Sequence, residues 1–218
     1  PKTPKPRQNN KNMLSRTITR FAPAATRSFA SIEASTNFEK FDFEDPLKLS
    51  GVLTEEEIMI EDTARQYAQE QLMPRIREAY NKEHFDVEIM REMGKLGFLG
   101  CTISDYDLPG VSSTAYGLIN RQIERVDSGY RSALSVQSSL VMFPIWAFAN
   151  KEVKDRLIPQ LATAEKIGCF GLTEPDAGSN PSGMLTNAKD KGDHWLLNGS
   201  KTWITNSPHA DVFVNWAK

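Results

Sequence analysis

The spacing of apolar residues changes near Lys166, and this change limits the chain to an architecture of helices followed by strands. Before it, apolar residues recur every three or four positions, which is the period of an amphipathic helix. After it, short apolar runs and alternating segments have the period of β-strands. We therefore predict an all-α domain over residues 36–165 and the beginning of a β-domain over residues 166–218.

The helical part has recognisable helix ends. Thr54 and Glu57 have the spacing of a capping box, and Pro74 predicts a break or kink in the helix that they start. A second helix is predicted from Asp86 to a left-handed C-terminal residue at Gly97. Three further helices are predicted over residues 118–126, over the mostly apolar stretch 132–150, and from Asn150 onward.

Three segments after Lys166 predict strands. "IGCFGL" is a short apolar run, and "DVFVNWAK" alternates apolar and polar residues. "HWLLNGSKTWIT" contains Asn198-Gly199, a pair favoured in two-residue hairpin turns, so we predict a hairpin there. Because so few strands hold a hydrophobic face poorly, we interpret the sequence as a fragment of a longer protein.

Composition and charge argue against two classes of partner. The 218 residues are 39% hydrophobic and 25% charged, with a formal net charge of −2. No basic excess is available to neutralise nucleic-acid phosphates, and no run of about 18 apolar residues could span a bilayer. We therefore expect neither nucleic-acid binding nor membrane insertion.

The two cysteines do not form a recognisable site. Cys101 and Cys169 lie in apolar surroundings, without the close Cys or His spacing of a metal centre. We interpret both as buried free thiols and expect no bound metal.

Residues 1–35 have the composition of a targeting leader. They contain no acidic residue before Glu33, and after Met13 their arginines lie among serine, threonine and small apolar residues. This composition is typical of a mitochondrial transit peptide, with a disordered basic tail as the alternative. We predict a mitochondrial matrix protein and interpret Met13 as its biological start.

"GLTEPDAGSNPSG", residues 171–183, is unusually rich in glycine, proline and small polar residues. A strand leading into such a segment can direct several backbone N–H groups one way, and such nests bind anionic or carbonyl oxygens. A long turn with no ligand is the alternative, because turns use the same residue types. The segment lacks the G-x-G-x-x-G pattern, which disfavours a Rossmann dinucleotide site.

"KTWITNS", residues 201–207, supplies a second group of binding side chains. It combines the indole of Trp203 with the hydroxyl of Thr205 and the amide of Asn206. The predicted hairpin would place these groups near the first loop. Packing of Trp203 in the core is the alternative.

Together, "GCFGLTEPDAGSNPSG" and "LNGSKTWITNS" resemble the flavin-binding middle domain of the acyl-CoA dehydrogenases. The resemblance covers residues 40–218, and the order of helices before strands is also that of the family. It implies a helical N-terminal domain, a β-barrel-like middle domain and a C-terminal helical bundle that this chain lacks. "ERVDSGYRSALSVQSSLV" is similar to the substrate segment of the glutaryl-CoA dehydrogenases within the family.

The resemblance implies FAD as the cofactor. The first motif would hold the flavin pyrimidine edge and the pyrophosphate, and the second would lie against the isoalloxazine ring, with a hydroxyl near flavin N5. Glu174 is interpreted as a structural carboxylate of this loop rather than as a catalytic base. The FAD-binding residues implied are Phe170, Gly171, Leu172, Thr173, Glu174, Gly178, Ser179, Trp203, Ile204 and Thr205.

The resemblance also implies an acyl-CoA substrate. Arg131 and Ser132 match residues that meet the distal carboxylate of the acyl chain in the glutaryl enzymes, and Ser179 would be shared between flavin and thioester. An exposed arginine with no ligand is the alternative for Arg131. If its side chain were buried without a carboxylate partner, a ligand carboxylate would explain it.

The implied reaction is α,β-dehydrogenation of glutaryl-CoA followed by decarboxylation to crotonyl-CoA, in lysine and tryptophan catabolism. Electrons would pass to electron transfer flavoprotein, and the full-length protein would be a homotetramer. The family's catalytic base lies in the C-terminal domain, so no catalytic residue is assigned here.

Asn180 departs from the family pattern, which usually has aspartate at this position. The loop shape is expected to persist, whereas an ionic contact from the position is not. The alternatives for function are another acyl-CoA dehydrogenase or oxidase with different chain specificity, and a catalytically incomplete fragment.

Overall fold

The computed structural model describes residues 40–218, so the predicted leader, residues 1–35, lies outside the described residues. The chain divides into two compact units, one ending at Pro46 and the other running from Leu47 to Lys218. All described helices and strands lie in the second unit. The predicted domain boundary at residues 165 and 166 falls inside this unit and stays a prediction.

Seven α-helices precede the first strand in the described part of the chain. They are α1 (Glu55–Tyr67), α2 (Met73–Asn81), α3 (Glu88–Lys95), α4 (Ser113–Glu124), α5 (Ser128–Ser135), α6 (Phe143–Phe148) and α7 (Lys151–Ala162). Two π-helical segments, Ala68–Leu72 and Val136–Met142, join α1 to α2 and α5 to α6. None of the helices described is long and apolar enough to cross a membrane.

Several helix ends have the caps that the sequence predicts. The Thr54 hydroxyl accepts a hydrogen bond from the Glu57 N–H at 3.2 Å, and the Glu57 carboxylate accepts one from the Thr54 N–H at 3.0 Å. This confirms the capping box. The Asn150 side chain caps α7 by accepting from the Val153 N–H at 2.9 Å, and Gly97 has the left-handed φ of 71° expected after α3.

Of the break or kink predicted at Pro74, the break does not occur. The chain stays helical from α1 into α2, and Pro74 lies in the first turn of α2. Proline cannot donate the N–H bond of an uninterrupted α-helix, and the backbone directly before it is π-helical, with the Met73 N–H donating to the Ala68 carbonyl. The irregular backbone instead lies before it, in the π-helical segment Ala68–Leu72.

Most of the core belongs to the helices. Burying each large apolar side chain contributes roughly 1.5–3 kcal/mol, so this cluster supplies most of the hydrophobic stabilisation. The fully buried large side chains are Leu72, Ile89, Met90, Met93, Leu99, Ile103, Ile119, Ile123, Leu134, Met142, Ile158 and Leu161. Cys101 and Cys169 are also buried, and both are free thiols, as predicted.

The described strands form two small sheets. β1 (Gly168–Gly171) pairs in parallel with β4 (Val212–Asn215), and Phe170 lies opposite Val214 in this register. β2 (Asn187–Asp190) pairs antiparallel with β3 (Trp195–Asn198). Val212 and Val214 pack against the helical core, as predicted, whereas Trp216, the next residue of the predicted face, follows the end of β4 and is 49% exposed.

The hairpin predicted at Asn198-Gly199 is wrong. The observed turn lies between β2 and β3, where the Lys191 N–H donates to the His194 carbonyl at 2.9 Å. Gly199 has a different role: it has a φ of 153°, and a Cβ there would lie 2.6 Å from the Thr186 Cα. The glycine therefore permits close backbone approach instead of forming a turn.

Gly168 lies where β1 meets the helical core. An added Cβ would overlap the Cγ1 of Val141 and lie 2.9 Å from its Cγ2, and Val141 is itself fully buried and stiff at χ1. We expect Gly168→Ala to lower the free energy of unfolding by about 1–3 kcal/mol, measured by urea denaturation.

Gly117→Ala is the matched control, because no atom lies within 4 Å of its added Cβ in α4. This helical substitution should be neutral or stabilising by up to about 1 kcal/mol. Equal destabilisation by the two substitutions would contradict the steric explanation.

Candidate functional site

The turn-rich loop begins where β1 ends. The Gly171 carbonyl still accepts a hydrogen bond from the Trp216 N–H at 3.0 Å, and the chain then leaves the sheet. Glu174 and Ala177 close a tight turn through two backbone bonds of 3.1 and 3.2 Å. Pro175 takes the second position of this turn, where its fixed φ is favourable.

The buried carboxylate of Glu174 holds the turn-rich loop through hydrogen bonds. Its side chain is 5% exposed, and its carboxylate accepts hydrogen bonds from the N–H groups of Leu185 at 2.6 Å and Thr186 at 3.0 Å. It also accepts one from the Lys201 ammonium at 2.8 Å. The carboxylate is therefore directed into the protein and fixes the shape of the loop.

Lys201 connects the two motifs. Its side chain is 12% exposed, and its ammonium donates both to Glu174 and, at 3.0 Å, to the Leu172 carbonyl. Next to it, the Thr202 N–H donates to the Thr173 carbonyl at 3.0 Å. The two motifs are thus adjacent, as expected, although the predicted hairpin is not what joins them. We call the Glu174–Lys201 ion pair and its bond to Leu172 the loop clasp.

The loop clasp makes stability depend on pH. The Lys201 ammonium, helped by the Leu185 and Thr186 amides, lowers the pKa of Glu174 from 4.5 to about 2. A lowered folded-state pKa stabilises the protein above the unfolded value, and this contribution disappears as the pH falls from 4.5 towards 2. We expect thermal unfolding followed by circular dichroism to show this loss in the wild type.

The Glu174→Gln variant should lack this component of the pH profile, because an amide does not titrate. Glu165→Gln is the control, since Glu165 is exposed and makes no side-chain hydrogen bond or ion pair in the described structure. A Glu174→Gln profile parallel to that of the wild type would contradict the assignment.

Several donors near the loop clasp have no acceptor within residues 40–218. They are the backbone N–H groups of Thr173, Gly178, Ser179 and Thr205 and the side-chain hydroxyls of Thr173, Ser179 and Thr205. We call this set the donor cluster. Gly178 and Ser179 are exposed, and the two threonines are half-buried. Free N–H and hydroxyl donors of this kind suit carbonyl and phosphate oxygens.

Trp203 is directed away from the core. Its side chain is 90% exposed, so the alternative of core packing is wrong. Its φ of 59° lies in the left-handed region, which costs a non-glycine residue roughly 1–3 kcal/mol. The neighbouring Ile204 is half-buried and anchors the segment. The result is an open indole two residues after Lys201 of the loop clasp.

Arg131 lies in the first turn of α5. Its Nε donates to the Glu124 carboxylate at 2.6 Å, and its Nη1 donates to the Ser135 hydroxyl at 3.2 Å. The side chain is 35% exposed, so the hypothesis of a buried arginine without a carboxylate partner is wrong. The sequence did not predict the pairing of Arg131 with Glu124, because Glu124 belongs to α4 and Arg131 to α5. Ser132 is half-buried, and its hydroxyl makes no hydrogen bond in the described part.

Comparison with known proteins identifies the family. The protein-family model described as "Acyl-CoA dehydrogenase, N-terminal domain" matches residues 54–165. A second family model, "Acyl-CoA dehydrogenase, middle domain", matches residues 169–218. The chain belongs to the acyl-CoA dehydrogenase family. This confirms the resemblance and the predicted fold class, a helical N-terminal domain followed by the start of the middle β-domain.

Individual relatives include acyl-CoA dehydrogenases of different substrate classes. The chain is 37% identical over 169 residues to a glutaryl-CoA dehydrogenase of Desulfococcus multivorans, covering 76% of this chain and 43% of that protein. It is 35% identical over 167 residues to the mitochondrial short-chain specific acyl-CoA dehydrogenase of Rattus norvegicus, covering 76% and 40%. The chain therefore spans less than half the length of these curated relatives.

A solved glutaryl-CoA dehydrogenase from Mycobacterium smegmatis, in complex with FADH2, has the same fold. It is 42% identical, with a TM-score of 0.77, and the match covers 78% of this chain and 44% of that one. The acyl-CoA dehydrogenases are FAD-dependent oxidoreductases. The donor cluster and the open indole fit such a cofactor, which carries carbonyl and phosphate oxygens and a flat ring.

Asn180 retains a local structural role in this member of the acyl-CoA dehydrogenase family. Its Oδ1 accepts a hydrogen bond from the Ser182 hydroxyl at 2.6 Å, and its carbonyl accepts from the Gly183 N–H at 3.0 Å. It thereby precedes the 3₁₀ turn Pro181–Gly183. Both bonds are local, and neither requires the charge of an aspartate.

Two residues of this acyl-CoA dehydrogenase chain have structural roles that the sequence did not assign. Lys201 belongs to the second motif, residues 201–207, but the sequence indicates no partner for it. Gln137 is fully buried in the π-helical segment Val136–Met142. A glutamine inside a predicted apolar helix was the available signal, because a buried amide requires hydrogen-bond partners.

Proposed function

We propose that the full-length protein is an FAD-dependent acyl-CoA dehydrogenase that acts on glutaryl-CoA. The observation that carries the proposal is the loop clasp, which joins the two motifs beside the donor cluster. The two family domains matched in order along the chain support the reaction class. The glutaryl-CoA dehydrogenases among its relatives support the choice of acyl group.

The residues proposed to hold FAD are those of the two motifs. FAD, when bound, would supply the acceptor for the hydride, which carries two electrons away from the β carbon of the acyl chain. Trp203 would lie along the isoalloxazine ring, and the Thr205 hydroxyl would donate near flavin N5, stabilising negative charge there. The loop from Phe170 to Ser179 would donate to the pyrimidine edge and the pyrophosphate. Glu174 contributes indirectly, through the loop clasp.

The acyl pocket is proposed to centre on Arg131. Glu124 and Ser135 occupy Nε and Nη1 of its guanidinium, and Nη2 has no acceptor in the described structure. Nη2 and the Ser132 hydroxyl are therefore available for a second carboxylate. A planar, permanently charged guanidinium suits carboxylate recognition, and the distal carboxylate of a glutaryl chain is such a group.

The proposed reaction has two stages. Removal of the α proton and transfer of a hydride from the β carbon convert glutaryl-CoA to glutaconyl-CoA. Loss of the distal carboxylate as CO2, with protonation of the resulting carbanion, then gives crotonyl-CoA. We assign no base to the described residues. Ser179 would contact both the flavin and the thioester.

The partners and the location are also proposals. Electron transfer flavoprotein is the proposed electron acceptor, and the full-length protein is proposed to form a homotetramer. The basic, acid-poor leader and the mitochondrial relatives from rat and cattle support a mitochondrial matrix location, whereas other relatives are bacterial. Such an enzyme would act in lysine and tryptophan catabolism.

Anaerobic titration of the full-length protein tests this function. Glutaryl-CoA, butyryl-CoA and isovaleryl-CoA are each mixed with the protein, and loss of the oxidised flavin absorbance is followed together with release of CO2. We expect glutaryl-CoA to reduce the flavin fastest and to be the substrate that yields CO2. Faster reduction by another thioester would assign a different acyl-CoA dehydrogenase, and a protein without flavin would indicate a catalytically incomplete chain.

A further inference from the structure

Both backbone polar groups of Gly168 are bound by side-chain amides from elsewhere in the chain. The Gly168 N–H donates to Gln137 Oε1 at 2.8 Å, and the Gly168 carbonyl accepts from Asn206 Nδ2 at 3.3 Å. Gly168 is the first residue of β1, the strand that leads into the turn-rich loop, residues 171–183. Two separate elements therefore fix the start of this strand.

Gln137 links β1 to the helix that carries the proposed acyl pocket. It lies in the π-helical segment that continues α5, the helix of Arg131 and Ser132. Its Nε2 donates to the carbonyls of Leu161 at 2.8 Å and Lys166 at 3.0 Å. The amide is fully buried and all three of its bonds go to backbone, so it holds the main chain on both sides of the junction.

Asn206 makes the corresponding link from the second flavin motif. It follows Thr205 directly and has a left-handed φ of 67°, which asparagine tolerates better than most residues. Its Nδ2 donates to the carbonyls of Ala133 in α5 and of Gly168, each at 3.3 Å. The Asn206 amide thus contacts both α5, the helix of Arg131 and Ser132, and β1.

We infer that Gln137 and Asn206 are positioning residues that set the distance between the acyl chain and the flavin. This inference rests on the proposed function. Neither residue contacts the proposed reacting atoms, and each ties α5 or its continuation to Gly168. Hydride transfer depends steeply on this distance, and a misplacement of about 1 Å can reduce a rate by about 100-fold.

The test uses two variants of the full-length flavoprotein. Asn206→Gly keeps a residue that accepts positive φ and removes the amide, and Gln137→Met keeps the length of the side chain and removes its three hydrogen bonds. Each is compared with the wild type for flavin reduction by saturating glutaryl-CoA, FAD dissociation constant, thermal stability, and the flavin spectral shift caused by crotonyl-CoA.

We expect the reduction rate of Asn206→Gly to fall by at least about tenfold, with FAD affinity changed by less than about threefold. The crotonyl-CoA spectral shift should also change, because it reports how the thioester lies against the flavin. Gln160→Met is the control, since the Gln160 Oε1 has no partner in the described structure. It should behave as the wild type in all four measurements.

The outcomes separate this inference from the proposed function. Variants that lose FAD or stability but reduce at the wild-type rate per bound flavin would show a merely structural role and overturn the inference. Wild-type protein that no acyl-CoA reduces would instead overturn the proposed function, and the inference with it. If Gln137→Met does not fold, the measurements on Asn206→Gly alone test the inference.

Discussion

Replacing Arg131 with alanine is expected to raise the KM for glutaryl-CoA by about 100-fold and the KM for butyryl-CoA by less than about threefold. The reason is that Nη2 of this guanidinium is free to bind a distal carboxylate, which butyryl-CoA lacks. Steady-state kinetics of the full-length protein with both thioesters, using an artificial electron acceptor, provide the measurement.

The control for this experiment is Arg156→Ala, because Arg156 is an exposed arginine of α7 outside the acyl pocket. It should leave both KM values near those of the wild type. Glu124→Gln gives a further comparison, since it weakens the bond that orients Arg131 at Nε. Equal increases in KM for both thioesters after Arg131→Ala would argue against carboxylate recognition.

Lys201→Met is expected to lower FAD affinity by about tenfold or more and to destabilise the protein at pH 7. The substitution leaves the Glu174 carboxylate inside the protein without its cation, and it removes the donor to the Leu172 carbonyl. Both changes release the loop that carries part of the donor cluster. Flavin fluorescence titration of the apoprotein and thermal unfolding provide the two measurements.

Lys189→Met is the matched control, because Lys189 is an exposed lysine of β2 with no side-chain partner in the described structure. The double variant Lys201→Met with Glu174→Gln should recover part of the lost stability, since no unpaired charge remains. An FAD dissociation constant unchanged by Lys201→Met would show that the loop clasp does not support the flavin loop.

Local sequence signals predicted much of the helical part. Thr54, Asn150 and Gly97 act at helix ends through hydrogen bonds or φ values that involve near neighbours, so the information lies within a few residues. The period change near Lys166 likewise predicted the transition to strands. Pro74 does not break the helix, because the π-helical segment before it keeps the chain helical.

The parts of the site that the sequence did not predict depend on contacts between distant residues. Asn198-Gly199 has the composition of a hairpin turn, but close approach to Thr186 explains the glycine. Gln137 acquires its role from Leu161, Lys166 and Gly168, which only the packed fold brings together. Composition gives the type of each residue, but not the partner that a distant segment provides.

The parallel pairing of β1 with β4 affects the order in which the protein assembles during synthesis. Helices α1 to α7 leave the ribosome first, so they can pack against one another before the strands are made. β1 follows them, but its partner strand β4 ends only at Asn215. The edge of β1 therefore stays unpaired until β4 has been synthesised. We therefore expect the nascent chain to gain FAD affinity late, after translation has passed this strand.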